Sequence, residues 1–168
     1  MSKIHLILGG ARSGKSRYAL DQARDLPEPH IFIATAQAFD VEMEERIARH
    51  RAERNARWHT VEAPIDLSPA ISDCSHGTVL IDCCTLWLSN IILAELDMEA
   101  SIDSLLKTLD MSKAHIILVS NEVGSGIVPE TPLGRRFRDE QGRLNQRLAA
   151  LSDRVDLVVA GLPVRLKG

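Results

Sequence analysis

The sequence has few cysteines, few aromatic residues, no excess of basic residues and no long hydrophobic run. The three cysteines, Cys74, Cys83 and Cys84, are odd in number and lack Cys-x-x-Cys spacing, which argues against a disulfide framework or a structural zinc site. Buried free thiols in a reducing compartment are the expected state. No stretch reaches the ~18 apolar residues of a membrane span, and the first apolar run meets glycine at Gly9, unlike a signal peptide. We therefore expect a cytoplasmic protein without a membrane span.

The charge balance is slightly acidic. Lys and Arg number 20 against 23 Asp and Glu, a formal net charge of −3, and aromatic residues make up 4% of the chain. A nucleic-acid partner usually requires a basic surplus and stacking aromatics, so none is expected here. The length of 168 residues, with 45% hydrophobic and 26% charged residues, is typical of one soluble globular domain spanning residues 1–168.

Short apolar runs rich in Ile and Val alternate with segments of helical periodicity. The runs are nearly continuous rather than alternating, which is typical of strands covered on both faces. We predict strands at 4–8, 30–34, 58–62, 78–82, 115–119 and 155–159, and helices at 15–25, 40–54, 85–96, 99–109 and 134–152. This order predicts an α/β fold with a mostly parallel sheet and helices on both faces.

The strongest motif follows the first predicted strand and matches the phosphate-binding pattern GxxxxGK[ST]. Glycines let the loop wrap with its N–H groups directed at phosphate oxygens, and the helix that follows adds its positive end. Lys15 is expected to reach the β- and γ-phosphates, and the Ser16 hydroxyl to bind Mg²⁺. The motif consists of Gly9, Gly10, Ala11, Arg12, Ser13, Gly14, Lys15 and Ser16.

A magnesium ion held by Ser16 needs an acidic partner at the end of the neighbouring strand, the one beside the phosphate-loop strand. Asp82 closes the predicted strand 78–82, where such a residue belongs in P-loop enzymes. The alternative is that Asp82 caps the following helix, and the two roles are compatible. Asp156 is a weaker candidate because Val155 and Leu157 place it inside a strand.

His50 lies on the apolar side of the predicted helix 40–54. Met43, Ile47 and His50 follow i, i+4, i+7 spacing, so the histidine faces the protein or a cleft. A packed, hydrogen-bonded histidine is one interpretation. The alternative is a nucleophile, because nearby arginines suit phosphate binding and would keep the imidazole neutral. Those arginines are Arg46, Arg49, Arg51 and Arg54.

A long segment after Ser120 contains two glycines and two prolines, which exclude a regular element. Loops of about a dozen residues in compact domains are usually functional or disordered. This one begins where a parallel strand ends, which is where open sheets bind ligands. The arginine-rich helix that follows is interpreted either as solvated surface or as part of a cleft or subunit interface.

Taken together, these segments resemble the bifunctional adenosylcobinamide kinase/adenosylcobinamide-phosphate guanylyltransferase family of cobalamin biosynthesis. The resemblance extends over essentially the whole chain. The loop segment and the His-Arg helix are its most specific parts. The matching stretches are GGARSGKSRYA, IATA, RIARHR, LIDCCTLWLSN and NEVGSGIVPETPLGRRFRDEQGRLNQRLA.

The resemblance implies a RecA-like P-loop fold, a homotrimer and a two-step reaction on a corrinoid. ATP or GTP phosphorylates the hydroxyl of adenosylcobinamide. A histidine, matched here by His50, then takes GMP from GTP and passes it to adenosylcobinamide phosphate, giving adenosylcobinamide-GDP. A single histidine, preceded by Arg49, occupies this position where some members have two. Besides the phosphate loop, the positions matching nucleotide contacts are Ala34, Thr35, Ala36, Arg51, Ala52, Glu53, Arg54, Glu62 and Asp82.

Two other functions fit part of the pattern. A single-function P-loop kinase of a small metabolite would share every feature except the need for His50. A RecA-like nucleotide switch without enzymatic activity would bind GTP through Lys15 and transfer nothing to a small acceptor.

Overall fold

The computed structural model describes residues 3–37, 44–45, 47–48 and 56–168. Within these residues, seven strands form one sheet in the order β3-β2-β4-β5-β1-β6-β7. The strands are β1 (Ile4–Gly9), β2 (His30–Ala34), β3 (Trp58–Glu62), β4 (Thr78–Asp82), β5 (His115–Asn121), β6 (Arg154–Val159) and β7 (Leu162–Lys167). Every neighbouring pair is parallel except β6 and β7, which form an antiparallel hairpin at one edge.

Five helices of the described chain have defined bounds. They are α1 (Lys15–Ala23), α2 (Ser68–Ser72), α3 (Cys84–Leu93), α4 (Met98–Met111) and α5 (Pro132–Leu151). Their connections return each parallel strand to the same direction, so the carboxyl ends of β1 to β6 meet at one edge. None of the helices in the described part of the chain is long and apolar enough to span a bilayer.

The sheet separates two hydrophobic cores. Ala19 and Ala23 of α1 pack with Ile7, Phe32 and Leu80 on one face. On the other face, side chains of α2 to α5 pack against the remaining strand residues; these helical side chains include Ile71, Trp87, Leu88, Leu105, Leu109, Leu144 and Leu148. Helices thus cover both faces, as the continuous apolar strands predicted.

Within the described residues, every predicted strand and helix is present in the structure. All six predicted strands are present, but the sequence analysis missed β7 and the short α2. All six residues of β7 are exposed. The strand mixes apolar and polar residues and has no continuous run rich in Ile and Val, which is the feature that predicted the other strands. The predicted helix 40–54 falls mostly outside the described residues, of which positions 44–45 and 47–48 are helical.

Asp82 lies one strand farther from the phosphate loop than the sequence predicts. The strand it closes, β4, was expected to lie beside the phosphate-loop strand β1. Instead β5 lies between them, pairing with β1 on one side and β4 on the other. The end of β5, at Asn121, is therefore interposed between the phosphate loop and Asp82.

Candidate nucleotide-binding site

The phosphate loop connects β1 to α1 at the carboxyl edge of the sheet. Gly14 precedes the helix with φ 91°, a left-handed conformation that favours glycine, and its carbonyl accepts from the Tyr18 N–H. Lys15 is 8% exposed, and its Nζ donates to the Gly10 carbonyl at 3.0 Å. The ammonium group is thus folded over the loop, within which a phosphate would be bound.

The β6–β7 hairpin supports this loop from the side. Gly161 N–H donates to the Ser13 carbonyl at 2.8 Å, and a Cβ on Gly14 would lie 3.2 Å from Gly161 Cα. A Cβ on Gly9 would lie 2.8 Å from the Val158 carbonyl, so glycine is required there by close approach. Among the described residues, the buried Ser13 Oγ has no hydrogen-bond partner, which leaves a hydroxyl available to a ligand in the loop.

The remaining predicted contacts form a row along the same edge. Asp82 pairs in register with Ala34 on one side and Val119 on the other, and Ala34 also pairs with Glu62 of β3. Gly9 pairs with Asn121, two residues beyond Val119 on β5. The sheet therefore places the described candidate residues of β1 to β4 along one edge.

Thr35 is buried and ties β2 to the peptide after Asp82. Its Oγ1 donates to the Cys83 carbonyl at 2.7 Å and accepts from the Cys83 N–H at 2.8 Å. The Thr35 carbonyl accepts from Asn90 Nδ2 of α3 at 2.9 Å. The Thr35 side chain is therefore fixed within the protein, and only its half-buried neighbours Ala34 and Ala36 are partly accessible.

Asp82 does not cap the helix that follows it. The N-cap of α3 is Cys83, whose Sγ accepts from the Leu86 N–H at 3.4 Å. This finding replaces the alternative interpretation of Asp82 as a helix cap. The half-buried Asp82 carboxylate remains available for a cation at the sheet edge.

Cys83 is affected by the charges of both Asp82 and Lys15. Burial and then the negative charge of Asp82 raise the pKa of the Cys83 thiol to about 11, against a lowering effect of Lys15. Asp82 and Lys15 therefore both act electrostatically on this thiol. All three cysteines are free and buried, as expected from the sequence.

A polar network fixes the end of β5 between these groups. Thr85 Oγ1 accepts from the Asn121 N–H at 2.7 Å, and Asn145 Nδ2 donates to the Asn121 carbonyl at 3.0 Å. Gln141 Nε2 donates to Ser120 Oγ and to Asn145 Oδ1, each at 2.9 Å. Gln141 is fully buried on α5. The periodicity of apolar residues does not predict this position, because glutamine is polar.

Asp156 belongs to a separate network and does not face a cation site. His5, Tyr18, Arg154 and Arg165 all contact its carboxylate at 2.5–2.9 Å. Burial raises the pKa of Asp156, but these hydrogen bonds outweigh burial and lower the pKa to about 2. Burial lowers the pKa of His5 and, together with the bond to Asp156, raises that of Tyr18. This network connects β1, α1, β6 and β7.

Several predicted residues lie outside the described part of the chain. They are His50, Arg51, Ala52, Glu53 and Arg54. In the ranges that are described, no group of three or more His, Cys, Asp or Glu residues could hold a metal ion by itself. Magnesium commonly retains waters and binds through one or two protein groups plus substrate phosphates, so Ser16 and Asp82 suit it as a donor set.

The fold and the phosphate loop define a P-loop nucleotide-binding protein. Solved structures with the same fold include an ATPase from the type III secretion system of pathogenic bacteria (TM-score 0.59, 12% identity) and the P4 protein of bacteriophage phi13 (TM-score 0.53, 14% identity). Each match covers 97% of this chain but only 56% and 53% of the respective relative. At such identities the likeness concerns the fold alone.

The sequence comparison is more specific. Residues 5–166 match the family described as cobinamide kinase / cobinamide phosphate guanyltransferase, and the chain belongs to that family. The bifunctional adenosylcobalamin biosynthesis protein CobP of Pseudomonas aeruginosa is 49% identical, over 97% of this chain and 96% of the relative. CobU proteins of the same description from Salmonella typhimurium and Escherichia coli are 42% and 40% identical, over 96% of this chain and 98% of each relative.

Proposed function

We propose that this protein phosphorylates adenosylcobinamide and then transfers GMP from GTP to the product, through a guanylylated His50. The observation that carries the proposal is family membership over residues 5–166 together with a complete phosphate loop at the edge of the sheet. Adenosylcobinamide-GDP is the expected final product. One domain, residues 1–168, would perform both steps.

In the kinase step, the hydroxyl oxygen of the acceptor attacks the γ-phosphorus of ATP or GTP. The bond from that phosphorus to the β-phosphate oxygen breaks, and the nucleoside diphosphate leaves. Lys15 is placed to offset the charge that develops on the departing phosphate, because its ammonium group lies over the phosphate loop. The N–H groups of the loop and the start of α1 would bind the same phosphates.

We also propose that Ser16 and Asp82 hold a magnesium ion. Ser16 lies in the first turn of α1, and Asp82 is half-buried at the end of β4, at the same carboxyl edge of the sheet. A hydroxyl and a carboxylate are oxygen donors of the kind that Mg²⁺ prefers. When bound there, Mg²⁺ would supply positive charge that offsets the negative charge developing on the leaving group.

In the guanylyl step, an imidazole nitrogen of His50 attacks the α-phosphorus of GTP and pyrophosphate leaves. The phosphate of the corrinoid product then attacks the same phosphorus, and the histidine is released. Dividing the transfer in two lets each step use a good leaving group. The proposed nucleotide contacts at Ala34–Ala36, Glu62 and Arg51–Arg54 would bind GTP for this step.

The experiment that tests the function is incubation with GTP labelled at the α-phosphate, followed by denaturing electrophoresis. The wild-type protein should retain the label, and the adduct should be lost in mild acid and survive alkali, as expected for a phosphoramidate. His50→Asn should abolish labelling and guanylyl transfer while part of the kinase activity persists. His59→Asn is the matched control, since His59 lies exposed on β3.

Two outcomes would support one of the two alternative functions instead. Kinase activity without any labelled adduct would indicate a single-function P-loop kinase. GTP binding without transfer to cobinamide would indicate a nucleotide switch. Label mapped to a histidine other than His50 would overturn the assignment of the nucleophile.

The quaternary structure and compartment are part of the same proposal. We infer a cytoplasmic homotrimer, on the family resemblance and on the three free, buried thiols. The edge strand β7 exposes Leu162, Val164 and Leu166, each at least half exposed, and such a surface suits contact with another chain. Light scattering should give the mass of a trimer, and a monomeric mass at assay concentration would contradict it.

A further inference from the structure

The loop between β5 and α5 displays two large apolar side chains to solvent. Ile127 is 96% exposed and Val128 is 56% exposed. Exposing these side chains to water costs free energy, because each presents a large apolar area. A ligand that covered them during the reaction would remove that area from water. The proposed function assigns no role to this loop.

The loop is fixed to the phosphate loop at its first residue. The Glu122 N–H donates to the Gly9 carbonyl at 3.1 Å, and Glu122 Oε1 accepts from the Gly124 N–H at 2.7 Å. The start of this loop is therefore held beside the phosphate loop. Five residues of extended chain span at most about 18 Å, so Ile127 stays within that distance of Glu122.

The loop is also fixed at its far end. Arg135 Nη1 donates to the carbonyls of Pro129 at 3.0 Å and Glu130 at 2.7 Å. Thr131 Oγ1 accepts from the Gly134 N–H at 3.1 Å and caps α5. A segment anchored at both ends presents its apolar side chains outward in a defined position.

The kinase acceptor has the size and chemistry to cover these side chains. A corrinoid is a broad macrocycle with a rim of methyl groups and neutral amides, and only its hydroxyl-bearing arm is narrow enough to enter beside Lys15. The macrocycle must then rest outside the phosphate loop, on the segments that follow the carboxyl ends of the strands. An apolar, uncharged contact at that place matches the methyl rim.

We propose that Ile127 and Val128 bind the corrin ring and so select the acceptor of the kinase step. The inference rests on the proposed function, because the acceptor is taken from it. The exposed Met111 provides the contrast: it is 70% exposed, but it ends α4 at the opposite edge of the sheet, where β5 begins. Exposure alone therefore does not define the contact; position beside the phosphate loop does.

The test compares Ile127→Ser with Ile127→Leu and Met111→Ser in steady-state kinase assays. We expect Ile127→Ser to raise the KM for adenosylcobinamide about tenfold or more, which corresponds to loss of one buried aliphatic contact. The KM for GTP and the kcat at saturating acceptor should change less than twofold. Ile127→Leu should restore most of the affinity, and Met111→Ser should match the wild type.

Equilibrium dialysis of cobinamide, followed by its visible absorbance, separates this inference from the proposed function. If the wild type binds cobinamide but transfers no phosphate, the proposed function fails and the variant pair still decides the inference. Equal cobinamide affinity in the wild type and Ile127→Ser, or no binding by the wild type, would overturn it. A change of molecular mass in Ile127→Ser by light scattering, with unchanged affinity, would make the loop a contact between copies instead.

Discussion

Thr35 and Cys83 exchange two hydrogen bonds through a single hydroxyl, at 2.7 and 2.8 Å, and this pair joins the ends of β2 and β4. Both residues are buried, so neither the Cys83 N–H nor the Thr35 hydroxyl has access to water. The peptide that the hydroxyl binds follows Asp82 directly. The proposed magnesium ligand is therefore positioned by a threonine on the neighbouring strand.

The first prediction concerns that threonine. Thr35→Val preserves the shape of the side chain but leaves the buried Cys83 N–H without a partner, which typically costs ~1–3 kcal/mol. The Cys83 carbonyl is less affected, because it also accepts from the Trp87 N–H. We expect a lower free energy of unfolding in urea and a higher apparent magnesium requirement.

Thr35→Ser is the matched control, because it retains the hydroxyl. It should lose less stability than Thr35→Val and keep the wild-type magnesium dependence. If both variants are equally destabilised, the methyl group rather than the hydrogen bonds accounts for the role of Thr35.

The second prediction concerns Lys15. Lys15→Ala removes a charge-assisted contact to the β- and γ-phosphates, worth about 1.5–3 kcal/mol, so kinase turnover should fall at least tenfold. Circular dichroism should show an unchanged fold. Lys107→Ala, on the exposed side of α4, should leave turnover unchanged. Normal kinase rates in folded Lys15→Ala would exclude the proposed role.

The third prediction concerns Asp82. Asp82→Asn keeps the size of the side chain and removes its charge, so half-maximal activity should require several-fold more magnesium. Asp110→Asn, an exposed position on α4, serves as the control for a general loss of negative charge. An unchanged magnesium titration would assign the ion to another group at the sheet edge, such as Glu122, whose N–H donates to the Gly9 carbonyl.

The fourth prediction concerns Asp156 and pH. Its pKa lies at about 2 in the folded protein against an ordinary value of 3.8. Because the pKa is lower in the folded state, the ionised Asp156 carboxylate stabilises the fold. That stabilisation is fully present above pH 3.8 and is lost as the pH falls through 2. The difference corresponds to about 2 kcal/mol. Urea unfolding should therefore show the free energy of unfolding declining over that range.

Asp156→Asn identifies the source of this decline. The gap in stability between wild type and variant should narrow from pH 4 to pH 2, because protonation removes the same charge that the substitution removes. Parallel stability curves for the two proteins over that range would show that other carboxyl groups cause the acid sensitivity.

The sequence alone determined the phosphate loop and the positions of the six parallel strands along the chain. The loop depends on local chemistry: glycine at Gly9 and Gly14 for close approach and positive φ, and lysine at the start of a helix. The six parallel strands were visible because strands buried on both faces are continuously apolar. Identifying His50 as a candidate nucleophile depended on the resemblance, since its helical pattern also fits a packed histidine.

Only the tertiary structure decided how these parts meet. Sequence order does not reveal that β5 lies between β1 and β4, because strand order depends on how helices cross the sheet. It also does not reveal that Gly161, in the turn of the β6–β7 hairpin, supports the phosphate loop, or that Thr35 holds the peptide after Asp82. These contacts join residues far apart in the chain through one or two hydrogen bonds each, which leave no periodic pattern in the sequence and form only when the sheet is complete.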